Sequence, residues 1–400
     1  MAAPIDRMDV GQFVCIEPNK SRSASNVEPF ARSGHCCATD GINMFVFGGY
    51  HPEFVTIQTQ PVYREITLCN EVFREMLCFN LYTETWHEVS TVGEAPWEAA
   101  SMSMLLHGQT LFMFGGTSYP WGETSNSDVV AFKLKDKTWS TLACKGQCPP
   151  GKYGQAMVLR HGCLYLYGGC RQITSNDYLF DSDVHCLDAR SQTWSLLSDE
   201  TTQDDPEAPS RGMYRHGLAW HDNKLFIIGS SWTELRSLKY HDKIHVYSLE
   251  TNVWSTEMTK PCLVDGFPLR RKYHSCVQWE NEVYICGGHN HRRVFGDIWR
   301  IELPSLQWSR LPALMPVPAY FHSAAITPSK CMYIFGGVTC LEDRNRTNGL
   351  YRIWLTIPPL LDMALRKVVS LLPKLNSESI AKLQDLGIPR SILDRLKHIE

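Results

Sequence analysis

The sequence predicts an all-β ring of six four-stranded blades, a β-propeller, followed by a small C-terminal α-helical segment. Three observations carry this. A short apolar run ending in two glycines recurs down the chain, an alternating strand follows it, and a tryptophan then opens one more strand. Repeats of about 50 residues built from strands, with periodic glycine and aromatic marks, are the pattern of such a ring.

The glycine runs read MFVFGG (Met44 to Gly49), LFMFGG (Leu111 to Gly116), LYLYGG (Leu164 to Gly169), VYICGG (Val283 to Gly288) and MYIFGG (Met332 to Gly337). A sixth, LFIIGS (Leu225 to Ser230), keeps only Gly229. The first glycines are 67, 53, 61, 58 and 49 residues apart. Such glycines end a strand and let the backbone turn where a Cβ would clash. Upstream lies a small polar strand. A histidine stands in it 13 residues before the first glycine (His35, His216, His274) or 14 before it (His322), with Met102 and Gln155 in the other two units. Downstream, alternating strands such as MLCFNLYT and IHVYSLET lead to Trp86, Trp139, Trp194, Trp254 and Trp308. A tryptophan has the bulk to fill the space between blades, and burying a large side chain stabilises by about 1.5–3 kcal/mol or more.

The sixth unit has no tryptophan-led fourth strand. After Leu350 to Ile357 the chain runs into Pro358-Pro359. The alternating stretch Gln12 to Glu17 is the expected substitute, with Phe13 in the tryptophan's place. Closing the ring with the chain's own start removes an exposed sheet edge. The whole pattern resembles the kelch repeat. The expected organisation is a mobile N-terminus, 1–29, containing a closing strand near 12–17, a six-bladed kelch propeller over 30–357, and a helical segment over 358–400.

Composition narrows the function. The formal net charge of −3 and the absence of a Lys/Arg run argue against a nucleic-acid or anionic-membrane surface. No apolar run reaches the roughly 18 residues of a membrane helix, and MAAPIDRMDV lacks a secretory signal. The 15 cysteines are scattered, mostly in strands, with no CxxC. That suits reduced thiols and a cytoplasmic or nuclear protein. No cofactor or metal is expected: His289-Asn290-His291 reads as a loop tip, and no nucleophile elbow, P-loop or HExxH occurs.

From Pro358 the apolar period changes from two to 3.6. PPLLDMALRKVVSLLP sets Leu361, Ala364, Leu365, Val368 and Leu372 on one stripe, and two shorter helices follow, ESIAKLQDLG and PRSILDRLKHI. Pro359, Leu360, Ala364 and Val368 resemble the BC box that binds Elongin C, with Ala364 where that box usually has cysteine. Leu372, Pro373 and Leu375 are similar to the start of a cullin-2 box, with Leu375 one residue early. No BTB segment precedes the repeats, so cullin-3 is not the expected partner. From Arg32-Ser33-Gly34-His35 through PPLLDMALRKVV the chain resembles the kelch domain-containing protein ten family, substrate receptors of cullin-2 ubiquitin ligases that read protein C-termini. The stretches ASMSMLLHG, KYGQAMV, RRKYHSCVQ and GDIWRIEL carry the likeness. It implies a non-catalytic adaptor whose partners are Elongin B/C, cullin-2 and client C-termini ending in glycine or a short alanine tail.

The loops after strand two and before strand one of each blade should open on one face. Tyr119, Trp121, Arg171, Trp232, His289 and Arg292 should therefore share that face with Arg32, Tyr214, Arg215, Arg270, Arg271, Tyr273 and Tyr320. A free carboxylate calls for arginine, which gives it two parallel bonds. A terminal glycine calls for aromatic walls. Arg215 and Arg271, beside Tyr214 and Tyr273, are the expected pair. Each arginine is as well suited to satisfying buried carbonyls at the glycine turns, and the inner histidines are expected in that structural role. Two other readings stay open: a scaffold with no ligase role, and a copper-oxidase site, against which each histidine sits at the same place in a different blade.

Overall fold

The computed structural model describes residues 10–18, 27–59, 62–69, 72–174, 177–198, 212–230, 239–371, 380–385, 387 and 389–396. Six four-stranded antiparallel sheets stand around an axis. Blade 1 comprises Ser33–Thr39, Asn43–Tyr50, Met76–Asn80 and Thr85–Glu88. Blades 2 to 5 begin at Ser103–His107, Ala156–Arg160, Gly217–His221 and Ser275–Trp279. Blade 3 gains a short parallel fifth strand, Lys145–Gly146. The first strand of each blade touches the first strands of both neighbours, so the ring is closed.

Blade 6 takes three strands from the end of the ring and its fourth from the chain's start. Phe13–Cys15 pairs antiparallel with Leu350–Trp354, setting Phe13 opposite Ile353. Elsewhere the same register position faces the tryptophan: Phe79 opposite Trp86, Phe132 opposite Trp139, Ile301 opposite Trp308. Phe13 therefore stands in the tryptophan's place, half-buried where the tryptophans are buried.

One residue per blade joins it to the next. It is the residue just before the first glycine. The ring of Phe114 packs 5.8 Å from Trp194 of blade 3, and its carbonyl accepts from Gln155 Nε2 at 2.6 Å. Phe335 packs 5.2 Å from Trp86 of blade 1, and its carbonyl lies 3.1 Å from His35 Nε2. The glycine that follows makes room: a Cβ on Gly336, at φ +67°, would lie 2.7 Å from His35 Cε1. The inner histidines and Gln155 thus lie buried between blades, and His35, like Gln155, reaches a carbonyl of the kind the inner histidines were expected to satisfy.

Two hairpins extend from the ring between second and third strands. They are Glu53–Thr59 with Val62–Cys69 in blade 1, and Cys170–Thr174 with Asp177–Phe180 in blade 3. They open on the face that holds the loops entering each first strand, called the upper face below.

Three helices follow blade 6: α1 (Leu360–Leu371), α2 (Ile380–Asp385) and α3 (Arg390–Leu396). They pack on the lower face. Leu365, Val369, Leu383 and Leu393 form a buried cluster with Tyr82, which lies between the third and fourth strands of blade 1. The Tyr82 hydroxyl donates to Asp362 at 2.5 Å, and Arg366 donates to the Tyr333 hydroxyl at 2.8 Å. The packed stripe is Asp362, Leu365 and Val369, not the expected one through Leu361 and Ala364, both of which are exposed. A polar partner on blade 1 turned the helix: the carboxyl of Asp362 reaches Tyr82 and draws its own side of α1 inward.

Candidate functional site

Six residues ring the axis at the upper face, each one place before an inner-strand anchor. They are Gly34, Ser101, Gly154, Arg215, Tyr273 and Phe321, and all have positive φ, between 54° and 74°. Backbone bonds lace them together. The Ser101 N–H donates to Gly34 O at 2.8 Å, Gly154 to Ser101 at 2.7 Å, Arg215 to Gly154 at 2.7 Å, Phe321 to Tyr273 at 3.0 Å, and Gly34 to Phe321 at 3.0 Å. The left-handed turn aims each N–H around the ring, so even bulky residues hold a conformation that is uncommon outside glycine. Gly154 has a further reason. A Cβ there would lie 2.0 Å from the Tyr214 ring, which spreads across it.

Above this belt lie two cavities of about 230 and 220 Å³ that share Tyr153 and Tyr214. The first is walled by Tyr153, Tyr178, Phe180, Tyr214 and Tyr273, with Lys272 and Ser230 on its lining. The second holds Gly34, Tyr50, Ser101, Trp121 and Phe321. Tyr214 meets Tyr153 and Tyr273 edge-on at 5.6 and 5.7 Å, and Tyr273 stacks on Phe321 at 4.1 Å. The walls are aromatic; Lys272 lines the first lobe, and Arg215 lies against Ser101 and Phe321 on the lining of the second. Arg215 donates to Ser101 Oγ at 2.5 Å and lies 5.1 Å from the Phe321 ring. Its Nε is buried with no hydrogen-bond partner. An unmatched charged donor in a partly dry site favours an anion. In the other lobe, burial pulls the Lys272 ammonium down to about 8.

The expected residues divide. Tyr214, Tyr273 and Trp121 line the cavities, and Arg215 is bonded to Ser101 on the lining of the second. Tyr320 is buried behind them, 4.5 Å from His289, its hydroxyl donating to Cys340 O. Arg271 does not reach the cavity: it is fully buried and gives both Nη atoms to Asp297, at 2.6 and 3.1 Å. Arg270 is also buried and donates to Tyr240 O at 2.7 Å. Arg32 is tied to Glu75 at 2.5 Å, and Arg171 pairs with Asp181 at 3.2 Å. The repeat explains these departures. Arg32, Lys152 and Arg271 each stand two places before a belt residue, and each is neutralised inside by an acid, Glu75, Asp181 or Asp297. Trp232 lies outside the described residues, as do Leu372, Pro373 and Leu375.

Sequence reasoning missed Ser101, Tyr153 and Lys272, which the repeat register alone would have placed beside Arg215. It also missed Tyr178 and Phe180, which no repeat position marks because their hairpin is an insertion.

The KLHDC2/KLHL20/DRC7 Kelch-repeats domain matches residues 17–230 and 212–356. Kelch domain-containing protein 10 of Homo sapiens is 42% identical over 372 residues, covering 92% of this chain and 80% of that protein. The chain belongs to the Kelch domain-containing protein 10 family. The Xenopus tropicalis member is 41% identical over 383 residues, 95% of this chain and 89% of its own. The Drosophila melanogaster Kelch domain-containing protein 10 homolog is 31% identical over 394 residues, 92% of this chain and 62% of its own.

Proposed function

We propose that this chain is the substrate-recognition subunit of a cullin-2–Elongin B/C ubiquitin ligase that binds client C-termini, with a terminal glycine or short alanine tail, in the upper cavity. It is a non-catalytic adaptor of the cytoplasm or of the nucleus. The observation that carries the reading is the two-sided character of α1. Leu365 and Val369 anchor one side to the ring, while Pro359, Leu360 and Ala364 stand in the open, Leu360 at 79% exposure. A leucine at a helix start, with a small residue one turn on, fits a groove on a partner. Val368 lies half-buried at the boundary between the two sides.

The cavity supports the client side. Arg215 offers a charged fork beside Ser101, and Tyr153, Tyr214 and Phe321 supply aromatic walls for a small terminal residue. Cavity and α1 lie on opposite faces, so a client and a ligase scaffold do not compete for space.

Two experiments test it. Glycine-ended peptides should bind as free acids and fail as C-terminal amides; equal affinity of the two disposes of end recognition. Leu360→Arg should end copurification of Elongin B/C with a folded propeller. Retained copurification favours a scaffold without a ligase role.

A further inference from the structure

Resting on that reading, we propose that the upper rim of blade 5 receives an acidic segment of the client chain, just before the residues that enter the cavity. The path begins at Tyr273 on the cavity wall. The His289 ring lies 5.2 Å from it, and the His291 ring lies 5.3 Å beyond His289, at the exposed tip of the same loop. Asn290 Oδ1 fixes that tip by accepting from the N–H groups of Arg292 and Arg293, at 3.2 and 3.3 Å. Both arginines are exposed. Lys239, also exposed, lies at the entrance of blade 5, where its carbonyl accepts from the Arg270 N–H at 3.0 Å. Lys272 on the cavity lining is the inner end of the path.

Among the described residues, the acids nearby are matched elsewhere. Asp297 is held by Arg271, and Asp242 lies 3.8 Å from Arg270. Among the described residues of this rim, that leaves Lys239, Arg292 and Arg293 in excess, on a chain whose formal net charge is −3. A local field opposite in sign to the whole molecule selects and steers a partner of the opposite charge. A peptide seated in the cavity leaves as an extended chain at about 3.3 Å per residue, so its next few side chains pass this rim.

The test uses fluorescent free-acid peptides that share one glycine end and carry three glutamates, three serines or three lysines upstream. The glutamate peptide should bind the full-length protein about 10-fold tighter than the serine peptide at low salt, and the gap should close near 0.5 M salt, where the Debye length falls to about 4 Å. Arg292→Glu with Arg293→Glu should reverse the ranking of the charged peptides and leave the serine peptide unchanged. Equal affinities for the unaltered protein overturn the proposal, as does a variant that weakens all three alike. A serine peptide that binds no better than its amide sinks end recognition itself, and the rim proposal with it.

Discussion

His35 Nε2 lies 3.1 Å from the carbonyl oxygen of Phe335, across the seam where blade 1 meets blade 6. The ring must be neutral to be buried there, and burial holds it well below its usual range. His216 and His274 are pulled down to about 3, and His322 to about 4.

Unfolded, these histidines take up protons near pH 6.5; folded, they refuse them until about pH 4 or below. The unfolded state then binds more protons as pH falls, so stability is full above pH 6.5 and is lost below it. Urea midpoints should drop steadily from pH 7 to pH 4.5. His216→Gln, which copies Gln155 of the preceding blade, should lessen the slope by as much as about 1.4 kcal/mol per pH unit. An unchanged slope would show that His216 takes up no proton on unfolding.

Arg271 and Arg215 should separate stability from binding. Arg271→Ala strands the Asp297 carboxylate, which its partner holds below the usual range despite burial. Urea denaturation should show a loss of about 3 kcal/mol. Arg215→Ala should unfold within about 1 kcal/mol of the parent but bind a glycine-ended peptide about 30-fold more weakly, about 2 kcal/mol. Titration calorimetry and denaturation together decide. The opposite assignment would move the carboxylate site to Arg271.

Gly154→Ala probes the cavity floor. The added methyl meets Tyr214 ring atoms at 2.0 and 2.2 Å, so the ring must leave its place between Tyr153 and Tyr273. Peptide affinity should fall at least about tenfold while the far-UV spectrum stays that of the ring, with about 1 kcal/mol of added backbone strain. Unchanged affinity would remove Tyr214 from the site.

The helical segment yields a paired prediction. Leu365→Ala empties a position buried against Tyr82 and should cost about 2–3 kcal/mol for docking of α1, read by hydrogen exchange along the helix. Leu360→Arg changes a residue at 79% exposure and should leave that exchange unaltered. Protection lost in both variants would mean that the exposed side of α1 is also structural.

Phe13→Ala tests closure. It removes a half-buried ring from the tryptophan position opposite Ile353 and should lower stability by about 2 kcal/mol. Loss of the whole strand should also bare the edge Leu350–Trp354 and promote association, visible by light scattering. A truncation before residue 17 that keeps both the melting temperature and the parent's size in solution would refute it.

The sequence alone determined what repeats: six blades, their glycine turns, the tryptophan of five blades and the histidine before the first glycine in four. It also placed Arg215 and Tyr214 at one end of the axis, because position within a repeat sets position in the ring. Tertiary structure alone decided which charged groups are spent. Arg271 and Arg215 stand at different places in the repeat, but only the packed sheets show that one meets Asp297 and the other keeps a buried Nε without a partner. The face that α1 buries was settled the same way, by Tyr82 reaching Asp362. The physical reason is range: strand alternation and turns follow from neighbours in sequence, whereas a buried charge is satisfied by a group far along the chain, in a position fixed only once the sheets have packed.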